Sequence, residues 1–276
     1  MENNLVTEIH SKPFLKWAGG KHKLVGILAN SLQDGERLVE PFVGSGSVFM
    51  GTNYKSYLLC DTNADLIGLF NNLKNNHEKV ISSAQKLFSE IHRTEASFYE
   101  MREKFNQLEP TDITKSALFI YLNKHAFNGL CRYNSKGFFN VPFGKYTEPK
   151  LPINEILLFA KKAKIAEFRC LDFMETFKLI QNGDVIYCDP PYVPLSITSS
   201  FTTYAKGDFK LEAQQALANE ANKAKAKGIR VVISNHDLDI TRDMYRNAVI
   251  NEIDVRRSIS SKSSTRGKVK EIIAIF

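Results

Sequence analysis

One continuous stretch, Leu38 to Asp61, restricts the folds open to this chain more than any other. Leu38-Val39-Glu40-Pro41-Phe42 predicts a short strand, Gly44-Ser45-Gly46 a tight turn, and Ser47 to Thr52 the opening of a helix. Ser56-Tyr57-Leu58-Leu59-Cys60 predicts a second strand that ends at Asp61. Strand, turn, helix and strand in that order form one unit of a doubly wound α/β sheet. The glycines free backbone N–H groups and let a ligand approach the main chain closely. An acid at the end of the second strand can accept hydrogen bonds from two ribose hydroxyls. Gly44 and Asp61 therefore suit any adenosine cofactor, a dinucleotide included. The run Gly44-Ser45-Gly46-Ser47-Val48-Phe49 lacks the third glycine of the dinucleotide fingerprint, and a ligand-free strand-to-helix connection stays open at this point.

The sheet pattern is interrupted and then resumes. Before Leu38, Trp17 to Lys21 reads as a loop and Lys23 to Leu32 as a helix. From Asn63 to about Asn123 apolar residues recur with a helical period, as at Leu66, Leu69, Phe70 and Leu73. Leu130-Cys131-Arg132-Tyr133, the turn residues Asn134-Ser135-Lys136-Gly137, and Phe138-Phe139-Asn140-Val141 read as a basic β-hairpin. Then Asp184 to Cys188 predicts a buried strand, Leu211 to Lys227 a helix closed by Gly228, and Arg230 to Ser234 another strand. Val249 to Val255 and Glu271 to Phe276 can form a terminal strand pair. The expected architecture is one catalytic α/β domain, 1–62 and 151–276, interrupted by a mainly helical insert, 63–150, that ends in the hairpin.

Composition narrows the partners. Thirty-seven basic against 30 acidic residues give a net charge of +7, which favours a polyanion because lysines and arginines release counterions from phosphates. The four cysteines, Cys60, Cys131, Cys170 and Cys188, lie far apart without zinc-ligand spacing and read as buried, reduced thiols. The polar start Met1-Glu2-Asn3-Asn4 has no apolar region of a signal peptide, and the apolar runs are too short to span a bilayer. A soluble, cytoplasmic protein without a membrane partner is expected.

The chemistry concentrates in Asp189-Pro190-Pro191-Tyr192, directly after the apolar strand Val185 to Cys188. Ligands of open α/β sheets bind outside the carboxyl ends of strands, which places this tetrapeptide well. An adenine amino group is a poor nucleophile because its lone pair is delocalised into the ring. A carboxylate and a backbone carbonyl that both accept N6–H bonds, here Asp189 and the carbonyl of Pro190, localise that lone pair. The prolines fix φ and pre-aim the carbonyl, and Tyr192 offers a stacking face for a base removed from its helix. A sulfonium methyl donor calls for neither a metal nor a covalent nucleophile. On its own, a Pro-Pro pair after a strand is as readily only a turn. Cys188 raises a second chemistry, thiolate attack on a pyrimidine, but it lies inside an apolar run with no basic neighbour to lower its pKa.

Taken together, Phe14-Leu15-Lys16-Trp17-Ala18-Gly19-Gly20-Lys21, Val39-Glu40-Pro41-Phe42-Val43-Gly44-Ser45-Gly46 and Asp189-Pro190-Pro191-Tyr192 resemble the Dam-type DNA adenine-N6 methyltransferases. Asn128-Gly129-Leu130-Cys131-Arg132-Tyr133-Asn134, Ser234-Asn235-His236-Asp237 and Val255 to Ser261 match the same family. The resemblance implies a Rossmann-like methyltransferase sheet with an inserted target-recognition domain, and S-adenosylmethionine as donor with S-adenosylhomocysteine as product. It puts Trp17, Lys21, Phe42, Gly44, Asp61, Asp172, Phe173 and Asp189 at the donor, with Asp61 on its ribose and Asp172-Phe173 near its adenine. It implies double-stranded DNA as the partner, no obligate protein partner, and a GATC target. Lys16 and Tyr146 would lie near the first guanine and Arg132 on a guanine of the other half-site, where its fork suits O6 and N7. Leu130 and Pro142 would touch a thymine methyl, and Asn128 and Asn134 a phosphate or the orphaned base. Phe127 stands where the family usually has an intercalating tyrosine; its ring can still fill the gap left by a flipped base.

Unaided by the resemblance, the hairpin reads as a solvated ribbon and Phe127 as a core aromatic. Arg256, Arg257, Lys262, Arg266 and Lys268 read equally as a second phosphate-contacting loop and as a solvated charge run. Three other functions stay in view: a dinucleotide-dependent oxidoreductase, a DNA-binding protein without catalysis, and a methyltransferase acting on RNA or a protein amide.

Overall fold

A computed structural model describes residues 12–194, 209–256 and 268–276. After a short 3-10 turn, α1 (Val25–Leu32) leads to β1 (Arg37–Glu40), α2 (Ser47–Gly51) and β2 (Ser56–Asp61). Three helices follow, α3 (Ala64–Leu87), α4 (Glu95–Gln107) and α5 (Ile113–His125). Next come α6 (Ile153–Ala163), β3 (Ala166–Cys170), α7 (Phe173–Phe177) and β4 (Asp184–Cys188). The chain continues through α8 (Leu211–Ala226), β5 (Arg230–His236), α9 (Asp239–Met244), β6 (Val249–Arg256) and β7 (Lys268–Ile275).

The strands form one sheet in the order β3-β2-β1-β4-β5-β7-β6. β1 to β5 run parallel, while β7 is antiparallel to both β5 and β6. This is the mixed α/β, Rossmann-like sheet that the first strand–turn–helix–strand unit predicts. Strand order reverses between β1 and β4, which creates the crevice where such sheets bind ligands. β1 stops at Glu40, short of the expected Phe42, because Pro41 has no N–H to continue the ladder.

The chain divides into two compact units. One comprises Ile27–Val43, Tyr54–Ile67 and Ile165–Phe276, and it carries the sheet. Its core joins Val39, Leu58, Ile186 and Ile233 to α8 through Leu217, Ala218 and Ala221. All five residues of β4 are buried, which explains why the strand reads as an unbroken apolar run. At the amino ends of the strands Arg37 grips Asp184 with two hydrogen bonds of 2.9 and 2.8 Å. The other unit comprises the chain up to Gly26, Gly44–Asn53 and Gly68–Lys164. Phe14, Phe49 and Phe70 surround Phe159 at ring-centre distances of 5.1, 5.6 and 4.7 Å in its core.

Two expectations need correction. In place of a hairpin of two strands, the segment after α5 forms a 3-10 turn, Phe127–Gly129, and two isolated antiparallel bridges, Ala126–Phe143 and Tyr133–Phe139. Asn134 Oδ1 accepts from the backbone N–H groups of Lys136 and Phe138, so a side chain replaces ladder partners at the tip, and Pro142 can donate nothing on the return. The helical period over Asn63 to Asn123 is met by α3, α4 and α5, with α3 breaking at Asn76, whose φ of −140° is non-helical. Of the four cysteines, only Cys60 and Cys188 are buried; Cys131 is half-buried and Cys170 exposed. Cys170 ends β3, an edge strand with three exposed positions, which leaves it uncovered. Residues 257–267, with most of the second basic loop, and the polar start at Met1 lie outside the described residues.

Candidate functional site

The carboxyl ends of four adjacent strands carry the expected donor residues of the sheet unit in a row. Asp172 and Phe173 follow β3, Asp61 ends β2, Phe42 follows β1, and Asp189 follows β4. With neighbouring strands about 4.8 Å apart, the row from β3 to β4 spans about 14 Å. Asp61 Oδ1 accepts from Asn63 N at 3.0 Å, which folds the chain back at the strand end. Asp172 is the N-cap of α7, with Oδ1 2.8 Å from Glu175 N. Phe42 stacks on Phe173 at 5.8 Å, and Phe209 closes edge-on against both at 5.5 Å. Phe209 was not singled out in the sequence; it stands alone among polar neighbours, without a periodic signal.

The Asp189 to Tyr192 loop is built into the protein rather than draped over it. Pro190 is buried, and Asp189 and Tyr192 are half-buried. Tyr192 Oη donates to Glu271 Oε2 at 3.1 Å, and its ring meets His236 edge-on at 4.9 Å. Asp189 Oδ1 and Glu40 Oε1 are both shut off from solvent. Burial, then the charge of Asp189, pushes the Tyr187 and Tyr192 phenols and the Cys188 thiol well above their usual pKa values. All three therefore stay protonated. Cys188 is fully buried and holds its proton, so it is no nucleophile.

The other unit carries the remaining candidates. Gly44 has φ +48°, and a Cβ there would lie 2.9 Å from Trp17 Nε1, so only glycine lets the indole close on the turn. Lys21 is buried, and its Nζ donates to Gly19 O at 2.9 Å. Lys16 lies with its Nζ 3.8 Å from the centre of the Tyr146 ring. Asn123, buried on α5, clamps Lys16 from both sides: it accepts from Lys16 N and donates to Lys16 O, each at 2.8 Å. It also donates to Gly129 O at 3.2 Å, so one amide ties Lys16 to the start of the bridged loop. Asn123 was missed in the sequence; its only signal is a polar residue among the apolar positions of a helix. Lys16, Lys124, Tyr146, Glu148 and Lys150 line one cleft. Burial and the neighbouring Lys16 lower the pKa of Lys124 to about 8.

On the bridged loop Phe127, Asn128, Arg132, Asn134, Pro142 and Tyr146 are all exposed, and Leu130 is half-buried. The exposure of Phe127, 51%, rules out the core-aromatic reading. Asn128 takes a left-handed φ of 54°, as asparagine tolerates. Arg132 Nε donates to Asn140 Oδ1 at 2.8 Å, which holds its guanidinium against the returning segment of the loop. Asn134 spends its side-chain oxygen on the tip of its own loop. Among the described residues no group of acidic, histidine or cysteine side chains is arranged to hold a metal ion, and no helix is long and apolar enough to cross a membrane.

Residues 17–259 match the family described as D12 class N6 adenine-specific DNA methyltransferase. A DNA adenine methylase of Vibrio cholerae is 47% identical over 266 residues, covering 96% of each chain. Those of Serratia marcescens and Escherichia coli K12 are each 44% identical, over 96% of this chain and 98% and 95% of their own. The dinucleotide-dependent oxidoreductase reading finds no support in these matches.

Proposed function

This chain belongs to the D12 class N6 adenine-specific DNA methyltransferases and is a DNA adenine methyltransferase; from that premise we propose that it methylates a flipped adenine in duplex GATC with S-adenosylmethionine as donor. The observation that carries the reading is Asp189, fixed by a buried strand and two prolines at the point where the sheet's strand order reverses. The donor supplies an electrophilic methyl group on a sulfonium. Its fit rests on the row of acids along the strand ends, which suits a cation bearing a ribose diol. Asp61 would take the ribose hydroxyls, and Phe42 and Phe173 would wall the adenine, with Asp172 beside it. Trp17, Lys21 and Gly44 would also bind the donor, as the resemblance implies, with Gly44 leaving room for the Trp17 indole on its turn.

Asp189 and the carbonyl of Pro190 would each accept an N6–H bond from the target base. The amino nitrogen would then turn pyramidal and localise its lone pair for attack on the methyl carbon, with the methyl–sulfur bond breaking and its electron pair staying on sulfur as a thioether, and one N6 proton leaving along the hydrogen bond to Asp189. Tyr192, its hydroxyl turned to Glu271, offers its ring to the base. Phe127 would fill the gap in the duplex, with Asn128 and Asn134 on the orphaned base or a phosphate. Lys16 and Tyr146 would read one guanine, Arg132 another, and Leu130 and Pro142 a thymine methyl. The insert 63–150 would then serve as the target-recognition domain.

The test is plasmid DNA treated with protein and donor, then challenged with nucleases that distinguish methylated from unmethylated GATC. Protection confined to GATC supports the proposal; N6-methyladenine formed equally at other sites refutes the target. In the same assay Arg132→Ala loses about 1–3 kcal/mol of discrimination at one guanine. An even loss of affinity at all sequences would instead make Arg132 a phosphate contact.

Lys124 gives a pH dependence. Its charged form exists below a pKa of about 8 and is lost as pH rises through that value. Duplex affinity at constant salt therefore falls from pH 7 to pH 9, and falls less in Lys124→Gln. Identical pH slopes for parent and variant in a fluorescence titration would remove Lys124 from the DNA interface.

A further inference from the structure

Two consecutive prolines leave the Asp189 to Tyr192 loop short of backbone donors, so its carbonyls and the next residue's N–H must hold it in place. The structure supplies those partners from side chains that the mechanism does not use. Gln214 on α8 and Asn235 near the end of β5 are both 0% exposed. Gln214 Nε2 donates to Pro191 O at 2.6 Å. Asn235 Nδ2 donates to Gln214 Oε1 at 3.1 Å and to Tyr245 Oη at 3.0 Å. Asn235 Oδ1 accepts from Val193 N at 3.2 Å and from His236 N at 2.9 Å. His236 Nδ1 then donates to Val193 O at 2.6 Å.

The direction of this chain is not arbitrary. A backbone N–H can only donate, so His236 N and Val193 N force the oxygen of Asn235 towards themselves. Its NH2 group must then face Gln214, which leaves the Gln214 oxygen as acceptor and turns the Gln214 NH2 onto the Pro191 carbonyl. The polarity of one strand's backbone is thus passed through two side-chain amides to the loop that carries Asp189. Amides buried this deeply cost stability unless every polar atom is matched, and here Asn235 uses both donors and both lone pairs.

We propose that Gln214 and Asn235 are positioning residues for methyl transfer, an amide relay that fixes the Pro190–Pro191 backbone so that Asp189 and the Pro190 carbonyl meet the target amino group together. The inference rests on the proposed role of Asp189.

Gln214→Met keeps the length of the side chain and removes its donor. Its single-turnover rate, with DNA and donor both saturating, falls about 10²-fold, because misplacement by about an ångström costs that much. Dissociation constants for DNA and donor stay within about threefold, since the loop's exposed faces are unchanged. Tyr245→Phe is the control: it removes a buried hydroxyl from the same cluster without breaking the relay, so it lowers Tm while the rate holds. If Gln214→Met does not fold, Asn235→Asp reads the same quantity, because it keeps the acceptor for Val193 and His236 and loses the donor to Gln214. A folded relay variant that matches the parent rate at saturation overturns the inference and leaves adenine methylation standing. A parent protein that methylates no adenine fails the functional reading itself.

Discussion

Asp189→Ala transfers methyl groups to adenine about 10²–10³-fold more slowly than the parent, the loss expected when one pre-positioned acceptor is removed from a reacting centre. The effect falls on the chemical step because the rest of the loop keeps its anchors. Pro191 O remains on Gln214, Tyr192 on Glu271 and Val193 on Asn235. Asp189→Asn, which retains an oxygen acceptor but not the charge, loses less. Single-turnover methylation of a duplex oligonucleotide, followed by nucleoside mass spectrometry, gives the rate. Turnover within about tenfold of the parent would end the assignment of Asp189 as the amino-group acceptor.

Arg37→Met produces the second large effect, at the opposite ends of the same strands. Arg37 binds Asp184 through Nε and Nη2 and also donates to Leu179 O at 3.0 Å. The Asp184 side chain is 1% exposed, and Gln181 N donates to it from the preceding turn. Removing the arginine strands a buried carboxylate, which costs about 3–5 kcal/mol of unfolding free energy. Replacing both partners, Arg37→Met with Asp184→Leu, recovers most of that loss, because the expense lies in the orphaned charge rather than in the missing attraction. Urea unfolding of the two variants reads the difference directly. Equal destabilisation of the single and double variants would show that the pair itself, not the stranded charge, carries the energy. Methylation per folded molecule stays at the parent level in both, since the amino ends of the strands take no part in the chemistry.

What could be read from the sequence follows from how each feature announces itself. Buried parallel strands are continuous apolar runs, so β2, β4 and β5 stand out. The edge strand β3 alternates buried residues with Glu167 and Arg169, so it shows no apolar run. The loop at Asp189 was legible because Asp189 to Tyr192 stand together directly after an apolar strand and agree with the other stretches that carry the family resemblance. What holds that loop was not: the partners of Tyr192, Val193 and Asn235 lie 79, 42 and 21 residues away in the chain. A buried amide looks, in sequence, like any surface glutamine. Gln214 is followed by Gln215, which is exposed, and nothing local separates the two. Ser234-Asn235-His236-Asp237 reads in sequence as a motif with no visible task; in the structure Asn235 and His236 hydrogen-bond to the loop at Val193. The bridged segment was misread as a hairpin because alternation predicts side-chain facing, not whether a turn residue will intercept the ladder's amides.

The position of β7 carries a consequence for how the chain assembles. β6 precedes β7 in sequence, yet β7 lies between β6 and β5. A ribosome therefore delivers β6 before the strand that must separate it from the parallel sheet. In that interval β6, eight residues long, has no native neighbour, while the β5 edge stands open beside it. Direct pairing of β6 with β5 is a trap that must dissolve before β7 can enter, and exposed strand edges of this kind are where nascent chains associate with one another. Refolding slowed at rising protein concentration is the expected mark of that order of events.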